Sequence, residues 1–196
     1  MSKLDAWNDS LSEDLLKHLQ IKLSRRNFLA GMLITGAAAS VMPSLVFSAS
    51  NFSTQKEPWT TILIVEDHLF PADGNGPSAR DINSTAYLQA VMSLDDMDKE
   101  EHKFIHQGVG WLNDLAKETH GHAFVELQYQ QREQLLHKIA TSQAGENWLS
   151  VLLFYIFEAL LADPVYGGNP DGIGWRWLEH QPGFPRPSES KRYYKL

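Results

Sequence analysis

Apolar residues recur along this chain at three- and four-residue spacing, and nowhere do they alternate with polar ones over a sustained run. That is the period of helices, not of strands. Trp59, Ile62, Val65, Glu66 and Leu69 share one face of a helix over 59–69, opened by Pro58 near its first turn. Phe70-Pro71-Ala72-Asp73-Gly74-Asn75-Gly76-Pro77 is dense in breakers and ends it. A second helix is predicted over 82–94, with turn and cap residues from Ser93 to Asp98. A third covers 99–119, turning Phe104, Ile105, Val109, Leu112, Leu115 and Ala116 inward, and Gly121 breaks it. A fourth runs over 124–140 (Phe124, Leu127, Gln128, Gln131, Leu135, Ile139), rich in good helix formers.

The fifth helix, 146–162, is apolar on every side, from Trp148 through Phe157, and only Glu158 interrupts it. Such a helix is central and fully buried, or shared with a partner. Its about 14 apolar positions fall short of the ~20 that a membrane span requires. From Asp163 onward the pattern lapses into loop. The expected fold class is all-α: a single helical bundle-like domain of about five helices with a long ordered C-terminal loop.

The first part of the chain has a different pattern. Leu4, Trp7, Leu11, Leu15 and Leu19 outline a short amphipathic helix, and its acidic residues Asp5, Asp9, Glu13 and Asp14 oppose adhesion to an anionic membrane surface. Arg25 and Arg26 then stand just ahead of Phe28 and Leu29, where an apolar stretch begins that reaches Phe47. A charged region followed by an apolar one is the order of an export signal. Adjacent arginines mark the twin-arginine variety. Gly31, Thr35, Gly36, Ser40, Pro43 and Ser44 dilute the apolar stretch, which argues against a permanent anchor, although an uncut anchor is the alternative. Small residues Ser48 to Ser50 supply a cleavage region. The chain thus divides into a signal segment (1–49), a linker (50–57) and a helical domain (58–196). The signal is set aside in reading the fold, and the domain is expected in the periplasm, free or held at the inner membrane.

Charge and composition narrow the function. The chain has 17 Lys/Arg and 24 Asp/Glu; five and four of these lie in residues 1–48, leaving 12 against 20 beyond them. An acidic domain lacks the clustered cations that phosphate contacts demand, so no nucleic acid is expected as a partner. There is no cysteine. Disulfides, iron–sulfur clusters and Cys-ligated zinc are therefore excluded.

Candidate chemistry is sparse. His102 and His106 share a helical face beside Glu101, a spacing that could hold zinc, but the general base of an HExxH site is missing and the face reads as exposed. His120 and His122 flank Gly121 at a helix end, where imidazoles complement the helix dipole. Neither a Gly-x-Ser-x-Gly elbow nor a Gly-x-Gly-x-x-Gly fingerprint occurs. No catalytic, cofactor-binding or metal-binding residue is assigned.

The informative segment is Asp163-Pro164-Val165-Tyr166-Gly167-Gly168-Asn169, followed by Gly174, Trp175 and Trp177. Pro164 stops the helix, the glycine pair permits close backbone approach, and Asn169 can hold a turn. Tyr166, Trp175 and Trp177 offer large faces with polar handles, as interfaces do. Either the loop caps its own bundle, an even choice for Tyr166, or it presents a partner surface, the reading favoured for Trp175 and Trp177.

With these residues in hand, the chain resembles the gluconate 2-dehydrogenase subunit 3 family over nearly all of its exported part. The likeness rests on Leu69-Phe70-Pro71-Ala72-Asp73 with Gly76-Pro77-Ser78-Ala79-Arg80 behind it, on the Gln-rich fourth helix, and above all on Asp163 to Asn169 with Gly174-Trp175 and Gly183-Phe184-Pro185. The spacer from Arg176 to Pro182 is longer than usual. The resemblance implies a non-catalytic small subunit. It implies as partners a large FAD-containing subunit of the glucose–methanol–choline oxidoreductase type, in many complexes a cytochrome c subunit carrying haem, and the twin-arginine translocase. The small subunit would assist maturation and export of the large one. The rival readings are a membrane-retained scaffold for another complex and a stand-alone periplasmic metal-binding protein.

Overall fold

A computed structural model describes residues 3–9, 11 and 56–192. The twin-arginine stretch, with Arg25, Arg26, Phe28 and Leu29, and the cleavage region lie outside the described residues. Among the described residues the secondary structure is helical throughout. It comprises α1 (Lys3–Asp9), α2 (Trp59–Leu69), α3 (Ser84–Met92), α4 (Lys99–His120), α5 (Tyr129–Ile139), α6 (Gln143–Leu161) and α7 (Ile173–Trp177), with short 3₁₀ turns at Phe124–Glu126, Pro164–Tyr166, Pro170–Gly172 and Glu189–Lys191.

Helix ends follow local chemistry. Asp98 caps α4 by accepting from the Glu101 N–H (2.9 Å), and Gly121 ends it with a left-handed φ of 78°. Ser142 caps α6 by accepting from the Gly145 N–H (3.1 Å), so the helix begins at Gln143, a turn earlier than the apolar pattern implies. The stretch read as one helix over 124–140 is two pieces. Leu127 and Gln128 are extended, and the carbonyls of Phe124 and Val125 are taken by the Arg132 guanidinium (3.2 and 2.6 Å). Gln131 reaches back to the Gln128 N–H (3.0 Å), which starts α5 afresh.

Helix α6 is the axis of the bundle, with α1, α2, α3, α4, α5 and α7 packed around it. By length and composition it is also long and apolar enough to cross a membrane, more than the sequence reading allowed. Here Trp148, Leu152 and Ile156 are fully enclosed by the other helices. Two polar ties bind that core. Trp148 Nε1 donates to the Ile105 carbonyl (3.0 Å), and Tyr155 Oη donates to Glu101 (2.8 Å). The C-terminal region is not plain loop: it folds a last helix, α7, across the carboxyl end of α6.

Helix α1 also belongs to this core, although its residues were set aside as leader sequence. Trp7 is buried and stacks on Trp111 (ring centroids 5.3 Å, planes 20° apart).

Candidate functional site

The carboxyl end of α6 is where the informative loop comes to rest. Ala162 leaves the helix, and Asp163 caps the next turn by accepting from the Val165 N–H (3.0 Å). Pro164 stands first in that turn, and Gly167 closes it at φ 98°, a conformation open to glycine. Tyr166 is half-buried over the turn.

Asn169 is the pin of the loop. It is wholly buried at φ 50°. Its side chain accepts from the Gly174 N–H (2.7 Å) and donates to the Ala162 carbonyl (3.0 Å), and its own N–H donates to the Ile82 carbonyl (2.9 Å). One residue thereby ties the loop to the end of α6, the start of α7 and the approach to α3. Gly168 and Gly174 are buried against the backbone of Ala159 and Leu160, where a Cβ would collide with a carbonyl oxygen.

The two tryptophans part company. Trp175, read from sequence as a partner surface, faces inward at 7% exposure: Nε1 donates to the Leu161 carbonyl (2.9 Å), one of the acceptors that a helix end leaves free. Its other face lies under the Arg186 guanidinium (5.0 Å), which in turn pairs with Asp163 (2.9 and 3.1 Å). That pairing holds the Asp163 carboxyl below its ordinary range. Trp177 remains 41% exposed. Its Nε1 donates to the Asn75 carbonyl (2.7 Å), and its ring lies on Gly76, where a side chain would not fit. Phe70 meets it edge-on (6.3 Å) and meets Phe157 likewise (6.4 Å).

The result is an apolar end of the bundle. Phe70 and Phe157 are half-buried, Leu161, Trp177 and Leu178 are exposed, and Phe184 stands out at 85% exposure. Of the nine candidate interface residues, Trp177 alone combines an aromatic face with broad exposure. Gly168, Asn169, Gly174 and Trp175 build the platform from within, and Asp163, Pro164, Tyr166 and Gly167 form its rim. Leu161, Leu178 and Phe184 join the surface; none of them was an interface candidate, although Phe184 belongs to the Gly183-Phe184-Pro185 motif that carries the resemblance. Leu161 and Leu178 sit at the ends of helices, where periodicity carries no signal, and Phe184 lies in the loop beyond α7, where there is none.

The histidines are placed differently from the sequence reading. His102 and His106 stack on one another (4.7 Å), but both are half-buried, and Trp59 meets His106 edge-on (6.1 Å). Glu101 turns inward to Tyr155, away from the pair. Burial, then the neighbouring His102, lowers the pKa of His106, which favours the neutral ring. Among the described residues no group of three His, Asp or Glu is placed to hold a metal ion. His120 approaches Gln131 (3.5 Å), and exposed His122 lies 3.9 Å from Glu126.

Three charged clusters escaped sequence reasoning. Buried Glu66 takes the hydroxyls of Ser84 (2.7 Å) and Thr85 on one oxygen, while Oε1 has no partner. Burial lifts its carboxyl to about 7, against the two hydroxyl bonds that lower it. His68 on α2 meets Glu133 on α5 (2.6 Å) and stacks under Tyr129 (4.3 Å). Beside it, Arg80 grips Asp67 through two guanidinium nitrogens. All three clasp α2 to its neighbours.

Comparison with known proteins now decides the family. The family model for gluconate 2-dehydrogenase subunit 3 matches residues 56–183. The chain belongs to that family. The match covers α2 through α7 and the Asn169 platform, and ends just before Phe184. No curated protein and no solved structure matches the chain. Membership makes the chain a subunit of a dehydrogenase complex, with partner subunits implied.

Proposed function

We propose that this chain is the non-catalytic small subunit of an exported FAD-dependent dehydrogenase complex. Its large partner is a flavoprotein of the glucose–methanol–choline type that oxidises a sugar, a sugar acid or an alcohol, and a cytochrome c subunit with haem takes the electrons onward. Arg25 and Arg26 address the complex to the twin-arginine translocase, and the domain carries the loaded flavoprotein to the periplasm. The observation that carries this reading is the apolar end around Trp177. A rigid, hydrogen-bonded platform there displays aromatic and aliphatic side chains to solvent, the composition of an interface core. Family membership supplies the class of partner.

Physical chemistry gives the arrangement a reason. A tightly held flavin is loaded into a folded enzyme, so that enzyme must be exported folded, and one signal can serve both subunits. Co-expression with the flavoprotein tests the reading. A tagged small subunit should draw down a larger, yellow, FAD-containing polypeptide from the periplasmic fraction. Changing Arg25 and Arg26 to Lys should strand both subunits in the cytoplasm. A flavoprotein exported normally without this chain would overturn the carrier role.

A further inference from the structure

Helix α1 precedes the paired arginines, yet it is seated on the domain that follows them. Trp7 stacks on Trp111 and is 6% exposed, Leu4 and Leu11 pack against the same core, and Asn8 Oδ1 accepts from the Ala144 N–H (2.8 Å). That N–H is one of the four that the start of α6 leaves without a helical acceptor, and Ser142 serves its neighbour Gly145. An apolar anchor and a directional cap act together, as in helix-in-groove recognition. Helix α1 thus lies against α4 through Trp111 and against the start of α6 through Ala144.

We propose that residues 3–9, with Leu11, are an intramolecular ligand of the folded domain, and that this ligand must leave its seat on α4 and α6 before the domain can be exported. The second half rests on the twin-arginine reading. The charged end of an export signal stays on the cytoplasmic side while the domain behind it crosses. Were α1 still seated on a domain that had crossed, residues 12–24 would have to thread back through the bilayer. They include Glu13, Asp14, Lys17 and Lys22, charged side chains that hydrocarbon opposes. Seated α1 therefore marks the cytoplasmic state. Its release bares Trp111 and the Ala144 N–H, and the seat acts as a brake on export.

Two variants of the full chain move this balance in opposite directions. Trp7→Ala removes the anchor. Asn8→Asp keeps the acceptor and adds negative charge at the amino end of α6, where the helix dipole favours it. By hydrogen–deuterium exchange, the amides of residues 4–9 should be protected in the native chain, exchange at least tenfold faster in W7A and slower in N8D. Residues 152–156 serve as the reference for an intact core. Appearance in the periplasm should be severalfold faster for W7A than for the native chain, and slower for N8D. Native α1 amides that exchange as fast as those of W7A would overturn the seat. Equal export of all three chains would overturn the brake. Arg25→Lys/Arg26→Lys distinguishes the underlying reading: export that survives it removes the twin-arginine premise, while the exchange result still decides the seat.

Discussion

The indole of Trp148 lies flat against Gly108, in the space where any larger residue would place its Cβ. Helices α4 and α6 pack without a spacer at this contact, and Trp148 Nε1 completes it by donating to the Ile105 carbonyl (3.0 Å). Gly108→Ala gains in helix propensity but drives a methyl into a buried ring. Overpacking of a core costs about 1–3 kcal/mol, against a propensity gain of ~1 kcal/mol, and full overlap with a rigid indole puts this site at the upper end. Thermal or denaturant unfolding should show a net loss of about 2 kcal/mol. Unchanged stability would mean that the two helices are not so close.

Glu66 makes the fold prefer mild acid. Its pKa rises from 4.5 to about 7 on folding. Between those values the unfolded chain releases the proton while the folded chain keeps it, so stability falls as pH rises through this window and levels off above it. Such a shift corresponds to roughly 3 kcal/mol, since each unit is worth 1.36 kcal/mol. Glu66→Gln remains neutral at every pH. Its stability relative to the native chain should therefore climb from pH 5 to pH 8, and a pH-independent difference would refute the buried acid.

His68 is tuned the other way. Burial lowers its pKa, and the Glu133 hydrogen bond opposes burial. The unfolded chain therefore takes up this proton first as pH falls, and the contribution of neutral His68 to stability is lost on the acid side of 6.5. Glu133→Gln removes the opposing charge. The His68 ring titration, followed by NMR, should have its midpoint below 6.5 in the native chain and lower still in E133Q. A midpoint that rises in the variant would contradict the pairing.

What could be read from the sequence follows where local and tertiary forces agree. The 59–69 helix has the predicted ends because Pro58 and Phe70-Pro71 punctuate it, and its inward face correctly includes Glu66. The break at Leu127 and Gln128 was hidden because Phe124, Leu127, Leu135 and Ile139 keep a helical rhythm, while the interruption is fixed by a side chain inside the same stretch, the Arg132 guanidinium, which takes the Phe124 and Val125 carbonyls. Helix α7 was hidden by Gly172 and Gly174 at its start, of which Gly174 serves close packing on Leu160. Trp175 was misplaced because the acceptor for its indole N–H, the Leu161 carbonyl, exists only once α6 ends there. Trp7 stands on the apolar face of the predicted amphipathic helix, but its seat on Trp111 is a tertiary contact that a reading of that helix as leader sequence does not anticipate.

Asn169 should behave as a latch for the C-terminal platform. Asn169→Ala abandons the Gly174 N–H and the Ala162 carbonyl, and places alanine at a left-handed φ that costs it ~1 kcal/mol. Each buried group left without a partner adds about 1–3 kcal/mol. The loss should be partly local: amides of 173–177 exchange faster while those of α4 keep their protection. Uniform protection across the whole domain would show that the latch is dispensable.

The apolar end can be separated from the fold that carries it. Leu161 and Phe184 expose their side chains to solvent; Trp177 is exposed too, but its indole is also bonded to Asn75. Surface substitutions away from buried features change stability by about 0.5 kcal/mol or less. Leu161→Asp/Phe184→Asp should therefore unfold close to the native temperature. A desolvated interface, in contrast, does not tolerate unpaired carboxylates at its centre. Capture of the flavoprotein by the double variant should fall at least tenfold, a difference of about 1.4 kcal/mol in binding. Trp177→Ala should add to that loss, with a measurable cost in stability because its ring no longer covers Gly76 and Phe70. Full retention of the partner by the double variant, with the fold intact, would place the contact surface elsewhere on the bundle.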